Sequence, residues 1–75
     1  MSTSLYPLVR VAGEEKADKT IAYLQNKYRN IVFDHTRVGN SIVLIRCICE
    51  KSILQDVRTV AEAFVDGLNR SSNAS

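Results

Sequence analysis

Residues 31–49, IVFDHTRVGNSIVLIRCIC, decide the fold that this sequence predicts. Two runs rich in β-branched and aromatic residues flank Gly39-Asn40, a pattern typical of a β-hairpin. A two-residue turn would mix polar and apolar side chains on each face, whereas a three-residue loop over 38–40 separates them. We therefore predict the three-residue loop, with one face of the hairpin directed into the core through Ile31, Phe33, Val43, Ile45 and Cys47.

A further strand is predicted before the hairpin, over residues 6–12, YPLVRVA. Pro7 near its start is typical of an edge strand, because proline cannot donate a hydrogen bond to a central ladder. Strict alternation of side chains would place Leu8 and Arg10 on the sheet face away from the core. The sequence thus predicts three strands in all.

Two amphipathic helices are predicted, one before the hairpin and one after it. For the first, Gly13 is the expected N-cap and Asn30 the expected left-handed terminator. The second is predicted to begin at the capping-box pattern of Ser52 and to end near Gly67. The core-facing residues are Ala17, Ile21, Leu24 and Tyr28 in the first helix, and Ile53, Val57, Val60, Ala61, Phe64 and Leu68 in the second.

The predicted order of elements is β-α-β-β-α, and the fold class is α+β. The third strand is apolar on both faces, so we place it in the middle of a three-stranded sheet of order 1-3-2, with both helices packed on one face. A chain of 75 residues predicts a single small domain over 1–75. Its ordered core is expected at about 6–69, with flexible tails at 1–5 and 70–75.

This order of elements resembles a ferredoxin-like half that lacks its final strand, and it also resembles the small DinI-type modulators of the RecA filament. The DinI family carries a strongly acidic last helix that ends with a tryptophan. The matching region here, VAEAFVDGLNR, offers Glu62 and Asp66 and contains no tryptophan. The resemblance is one of topology, and it implies the fold but no function.

Charge and composition place few limits on function. A net charge of +2 is too small to require nucleic acid or an anionic membrane as a partner. No apolar run approaches the about 20 residues that cross a bilayer, and the first residues lack the pattern of a signal peptide. Two cysteines provide no disulfide framework, so we expect a soluble protein of a reducing compartment, the cytoplasm, without a membrane partner.

The sheet face away from the helices is the first candidate site, because it carries more apolar surface than a monomer usually exposes. We therefore predict a non-catalytic small regulatory or adaptor protein that binds a protein partner or itself, as a homodimer, through this face or through the second helix. Sheet twist and the aliphatic stems of the arginines are the alternative explanation, since they would shield the same residues. The predicted interface residues are Leu8, Arg10, Val32, Asp34, Ile42, Leu44, Arg46 and Ile48.

A basic flank on the first helix supports an alternative function, a nucleic-acid-binding module. Lys16, Lys19, Tyr23 and Lys27 fall within one sector of this helix, together with Thr20. Lysines would bind phosphates and the tyrosine would stack on a base. The acidic residues nearby make a solvated helix face the competing explanation.

Catalysis and metal binding have little support in the sequence. Cys47, Cys49 and His35 are the only nitrogen or sulfur donors that a zinc site would use, and zinc takes four ligands. A cysteine nucleophile needs an activating base close by, and His35 lies on the neighbouring strand. We therefore predict that the protein is not an enzyme and that it uses no metal and no other cofactor.

Overall fold

The computed structural model describes residues 3–73 and confirms the predicted β-α-β-β-α fold. The strands form one antiparallel sheet in the order β1-β3-β2, and both helices pack on one of its faces. The helices and strands span 4–73, which is more than the predicted core of about 6–69; residues 1–2 and 74–75 of the predicted tails lie outside the described residues. The elements are β1 (Ser4–Ala12), α1 (Glu14–Lys27), β2 (Val32–Arg37), β3 (Ile42–Cys49) and α2 (Lys51–Asn73).

The central strand β3 is the middle of the core. It pairs with β1 on one side and with β2 on the other. Every second side chain of β3 is buried beneath the two helices, as the period of two in an extended strand requires. These buried residues are Val43, Ile45, Cys47 and Cys49.

The β2–β3 hairpin has a three-residue loop, as predicted, but the loop lies one residue later in the chain. The Val38 N–H donates to the Ile42 carbonyl over 3.0 Å, so the loop residues are 39–41. Phe33 consequently lies opposite Cys47. The pairing differs from the predicted one by two residues, an even number, and therefore every side chain keeps its predicted face.

A β-bulge in β1 makes the prediction for Leu8 wrong. Pro7 pairs with Arg46 and Val9 pairs with Ile45, so Leu8 is the extra residue of the bulge. An inserted residue interrupts the alternation of faces and re-aims a side chain. Leu8 is buried in the core at 5% exposure, instead of lying on the open face.

Helix α1 begins directly after a glycine turn. Gly13 has φ of +98°, a conformation that L side chains rarely adopt, and its N–H donates to the Ser41 carbonyl over 2.8 Å. The helix ends where the Tyr28 N–H donates to the Leu24 carbonyl over 2.7 Å. The predicted left-handed conformation of Asn30 is wrong, because no residue other than glycine among 3–73 has a positive φ.

The buried stripe of α1 includes a threonine that the sequence analysis placed on the basic flank. Thr20 is fully buried, and its hydroxyl donates to the Lys16 carbonyl over 2.7 Å. This bond satisfies the hydroxyl within its own helix and allows the methyl group to pack in the core. Ala17 and Leu24 are buried beside it, while Ile21 and Tyr28 are partly buried.

Helix α2 differs from its prediction at both ends. It begins at Lys51, so Ser52 lies within the first turn and the predicted capping box is wrong; only Glu50 separates the helix from β3. It continues to Asn73, well beyond the predicted end near Gly67. Glycine inside a helix costs only about 1 kcal/mol relative to alanine, too little to end a helix that is packed on one side.

The buried face of α2 is also rotated relative to the prediction. Val57 and Ala61 are buried as expected, but the next buried residue is Val65. Ile53, predicted to face the core, is 37% exposed. The buried residues of α2 recur every four residues, so they lie along one edge of the predicted stripe. This edge faces β1, the strand against which α2 mainly packs.

We expect Leu8→Ala to lower the free energy of unfolding by about 2–5 kcal/mol, because it removes a buried side chain and leaves a cavity. Leu5→Ala is the matched control, since Leu5 lies in the same strand but is 48% exposed, and we expect it to cost about 1 kcal/mol or less. Urea denaturation of both variants measures the difference. Equal losses would contradict the placement of Leu8 in the bulge.

Candidate functional site

The open sheet face, on the side opposite the helices, is built from four rows of residues that lie directly opposite one another. β3 supplies the middle residue of each row, β1 supplies one neighbour and β2 or its continuation supplies the other. We call this surface the open face. Its rows are Leu5–Ile48–Val32, Pro7–Arg46–Asp34, Arg10–Leu44–Thr36 and Ala12–Ile42–Val38.

Large apolar side chains are exposed at both ends of the open face. Val32 is 60% exposed in the first row, and Val38 is 50% exposed in the last. Arg10, Val38 and Ile42 line a shallow hollow at this second end. Of the exposed large apolar residues among 3–73, all but Tyr23 and Ile53 belong to the open face: Leu5, Val32, Val38, Ile42 and Ile48.

An ion pair occupies the middle of the open face. Arg46 donates from Nε to Oδ1 of Asp34 and from Nη2 to Oδ2, both over 2.9 Å, in a bidentate arrangement. The two residues lie directly opposite each other on β3 and β2. Both side chains remain partly exposed, so solvent screens the attraction and the pair contributes little to stability. Its effect is to fix a polar group of defined direction between two apolar ends.

The structure brings seven of the eight predicted interface residues together on the open face. Leu8 is the exception, because of the bulge. Sequence reasoning missed Leu5 and Val38, which now complete the first and last rows. The reason is that the predicted β1 starts two residues later than the observed strand, and the predicted loop includes Val38. The seven predicted residues that lie on the open face are Arg10, Val32, Asp34, Ile42, Leu44, Arg46 and Ile48.

The basic flank of α1 is engaged with neighbouring side chains. Lys16 Nζ donates to Asn69 Oδ1 of α2 over 3.0 Å. Lys19 Nζ lies 3.7 Å from the Glu15 carboxylate one turn earlier. These contacts reduce the positive charge that α1 offers to a phosphate backbone.

Tyr23, the predicted stacking residue of the basic flank, packs against α2. Its ring stacks on Phe64 with 4.4 Å between ring centres and 8° between the ring planes. One ring face is thus covered, although the side chain as a whole stays partly exposed. Lys27 is exposed at the end of α1. The geometry therefore joins α1 to α2 through this flank and leaves less of it for a base to stack on.

The two cysteines are buried thiols. Cys47 and Cys49 are free, and their sulfur atoms lie 3.6 Å apart on the core face of β3. Burial, and after it the hydrogen bond and charge of Cys49, raise the pKa of Cys47 from 9.0 to about 12. At neutral pH this thiol is protonated, and a protonated thiol is a poor nucleophile and a poor metal ligand.

Residues 3–73 contain neither a cluster of metal-ligating side chains nor a helix that could cross a membrane. No group of three or more His, Cys, Asp or Glu side chains lies close enough together to hold a metal ion. Neither helix, within the part of the chain described, has the length and apolar character needed to span a bilayer. His35 instead faces α1, with Nε2 3.8 Å from Asp18 Oδ1 at the rim of the core.

Comparison with known proteins finds no matching family model, no matching curated protein and no matching solved structure. The functional argument therefore depends on the geometry and chemistry of this chain's own surfaces. Among these the open face has the largest set of exposed apolar side chains.

The raised pKa of Cys47 predicts how stability depends on alkaline pH. The unfolded chain loses this proton near pH 9.0, whereas the folded chain keeps it until about pH 12. The free energy of unfolding should thus fall as pH rises through this window, by up to about 1.4 kcal/mol per pH unit. Urea denaturation at pH 7.5, 9 and 10.5 measures the slope. Cys47→Ala should decline less steeply, and an equal decline in both proteins would contradict the assignment.

Proposed function

We propose that this protein is a small non-catalytic regulatory or adaptor protein that binds a protein partner through the open face. The observation that carries the proposal is the pairing of two exposed apolar ends around a fixed ion pair on an uncovered sheet. Groups of exposed apolar side chains with polar residues around them are typical of interaction sites.

The arrangement suits recognition as well as affinity. Burial of the apolar ends by a partner would contribute roughly 25 cal/mol of binding free energy per Å² of apolar surface removed from water. The central ion pair of Arg46 and Asp34 offers directed polar groups that a wrong partner would leave unpaired. An interface with an apolar region at each end and a charged pair between them fixes the orientation of the bound partner.

The cellular setting belongs to the same proposal. Buried free thiols and the want of a disulfide in the described residues fit a reducing compartment. We therefore place the protein in the cytoplasm.

Nucleic-acid binding by Lys16, Lys19, Tyr23 and Lys27 remains the alternative, with less support. Lys16 and Lys19 have polar partners and one face of Tyr23 is covered. Non-specific binding to a phosphate backbone is salt-dependent in proportion to the number of phosphates neutralised. Retention on an oligonucleotide column that falls with salt and is lost when the three lysines are changed to Gln would favour this alternative.

The test of the open face compares two isoleucines of equal exposure. Ile42 on the open face is 38% exposed and Ile53 on α2 is 37% exposed. We expect Ile42→Asp to weaken association at least about tenfold, because it replaces apolar contact area with a carboxylate that must lose its water on binding. Ile53→Asp introduces the same charge on a helix near its N-terminus and should leave association unchanged.

Sedimentation equilibrium and affinity capture supply the two readouts. Self-association that is lost in Ile42→Asp and kept in Ile53→Asp would identify the open face as a self-interface. If self-association is unaffected, a cellular protein should be captured by the wild type and by Ile53→Asp but not by Ile42→Asp. The proposal fails if neither readout separates the two variants, provided that circular dichroism shows both to be folded.

A further inference from the structure

The outer edge of β2 is a second surface with unused bonding capacity. Among residues 3–73, β2 pairs with β3 alone. The bond from the Val38 N–H to the Ile42 carbonyl shows that these two residues lie at a hydrogen-bonded position of the ladder. Because such pairs alternate along an antiparallel ladder, the N–H and C=O groups of Phe33, His35 and Arg37 point away from β3. They present a regular template for another strand.

The opposite edge of the sheet, on β1, is protected in three ways. Pro7 has no N–H, and it lies at a position whose backbone groups point outwards. The bulge at Leu8 interrupts the regular spacing that a new strand would need. The Pro7 carbonyl already accepts a hydrogen bond from Arg58 of α2 over 2.9 Å. Since β2 has neither proline nor bulge, the two edges are not equivalent.

We propose that a second copy of this chain pairs with β2 through its own β2, antiparallel, with a two-fold axis at His35. The two three-stranded sheets then form one six-stranded sheet. Such an interface is isologous, because the same segment is used by both copies and every contact occurs twice. Main-chain hydrogen bonds between edge strands supply the affinity.

The register follows from which backbone groups point outwards. Only odd-numbered residues of β2 present their N–H and C=O groups to a partner, so Phe33, His35 and Arg37 must pair with residues of the same set. Centring on His35 pairs all three, with Phe33 opposite Arg37 of the second copy. Shifting the axis to Asp34 loses a pair and sets the Asp34 carboxylates directly opposite each other, which is unfavourable.

The same register gives favourable neighbours on the open face. Val32 lies opposite Val38 of the second copy, so two side chains that are 60% and 50% exposed in one chain cover each other. Asp34 lies opposite Thr36 of the second copy, an acceptor opposite a hydroxyl donor. These contacts occur twice because of the two-fold axis.

Two side chains of β2 lie against carboxylates of helix α1. Arg37 donates to the Glu14 carboxylate over 3.3 Å, and His35 lies 3.8 Å from Asp18. The residue one helical turn after Asp18 on the same flank is Ala22, a small exposed side chain. The imidazoles that meet near the two-fold axis are thus each accompanied by a carboxylate, and Ala22 adds little bulk beside them.

This dimer does not depend on the proposed function, because its hydrogen bonds are made by the edge of the sheet; on the open face it covers Val32 and Val38 and leaves Leu5, Ile42 and Ile48 exposed. In the six-stranded sheet the two open faces become one continuous surface that carries two copies of the apolar ends. A partner that engages both copies would gain avidity without any new kind of contact.

Disulfide trapping tests the register directly. Val32 and Val38 form a non-hydrogen-bonded pair across the proposed interface, with an expected Cα–Cα distance of about 4.5 Å, which a disulfide spans. The double variant Val32→Cys with Val38→Cys should become a covalent dimer in oxidised glutathione, as seen on a non-reducing gel. Each single variant is the matched control and should stay largely uncrosslinked. The proposal is overturned if the double variant does not crosslink, or if the single variants crosslink equally well.

Proline at His35 tests the hydrogen bonds. His35→Pro removes an outward N–H of β2 and should spare the ladder with β3, whereas His35→Ala removes the same side chain and keeps this N–H. By sedimentation equilibrium we expect His35→Pro to weaken the dimer about tenfold or more relative to His35→Ala. Equal dimerisation by His35→Pro, or a wild type that is monomeric at all concentrations, would overturn the second copy as occupant and would favour an extended peptide from another protein.

These results are separate from the test of the open face. Ile42→Asp alters the open face on the central strand β3, away from the outer edge of β2, and should still form the trapped dimer when combined with the two cysteines. Failure of the open-face proposal therefore leaves the trapping result unchanged, and failure of the trapping leaves the comparison of Ile42→Asp with Ile53→Asp intact.

Discussion

The position of β3 between two antiparallel partners is the constraint on which the rest of the structure depends. β3 supplies the buried residues Val43, Ile45, Cys47 and Cys49 to the core and the middle residue of every row on the open face. Because side chains alternate along a strand, these two sets are fixed relative to each other once either is placed. The core therefore determines which residues the open face presents.

This dependence explains how much of the molecule the sequence alone could predict. The apolar character of both faces of β3 was sufficient to predict the sheet order. The spacing of apolar residues predicts the two helices, and the structure confirms both. Every side chain of the hairpin lies on its predicted face, although the loop lies one residue later than predicted. This is because the loop length was right and the register differs from the predicted one by two residues, an even number.

The errors occurred where a single local contact overrides a periodic pattern. The local sequence YPLVRVA does not predict that Leu8 is the extra residue of a bulge, because the bulge depends on how β1 pairs with β3. Gly67 looked like a helix terminator, but the cost of one glycine is smaller than the gain from continued packing of α2. In the candidate site, the structure excludes Leu8 from the open face and adds Leu5 and Val38. The other seven predicted residues lie on this face, because their positions depend only on the alternation of side chains within regular strands.

The functional interpretation has the same physical origin. A chain of 75 residues has enough apolar side chains to cover one face of a three-stranded sheet with two helices, and the other face is left to solvent or to a partner. The sheet also has two edges, and the protein treats them differently. Proline, a bulge and Arg58 occupy the β1 edge, whereas β2 is regular, and Arg37 and His35 lie against carboxylates of α1. Edge protection is a common feature of sheets that must stay monomeric. Its presence on the β1 edge and not on the β2 edge is a structural asymmetry of this small fold, and it is the reason for which we propose association through β2.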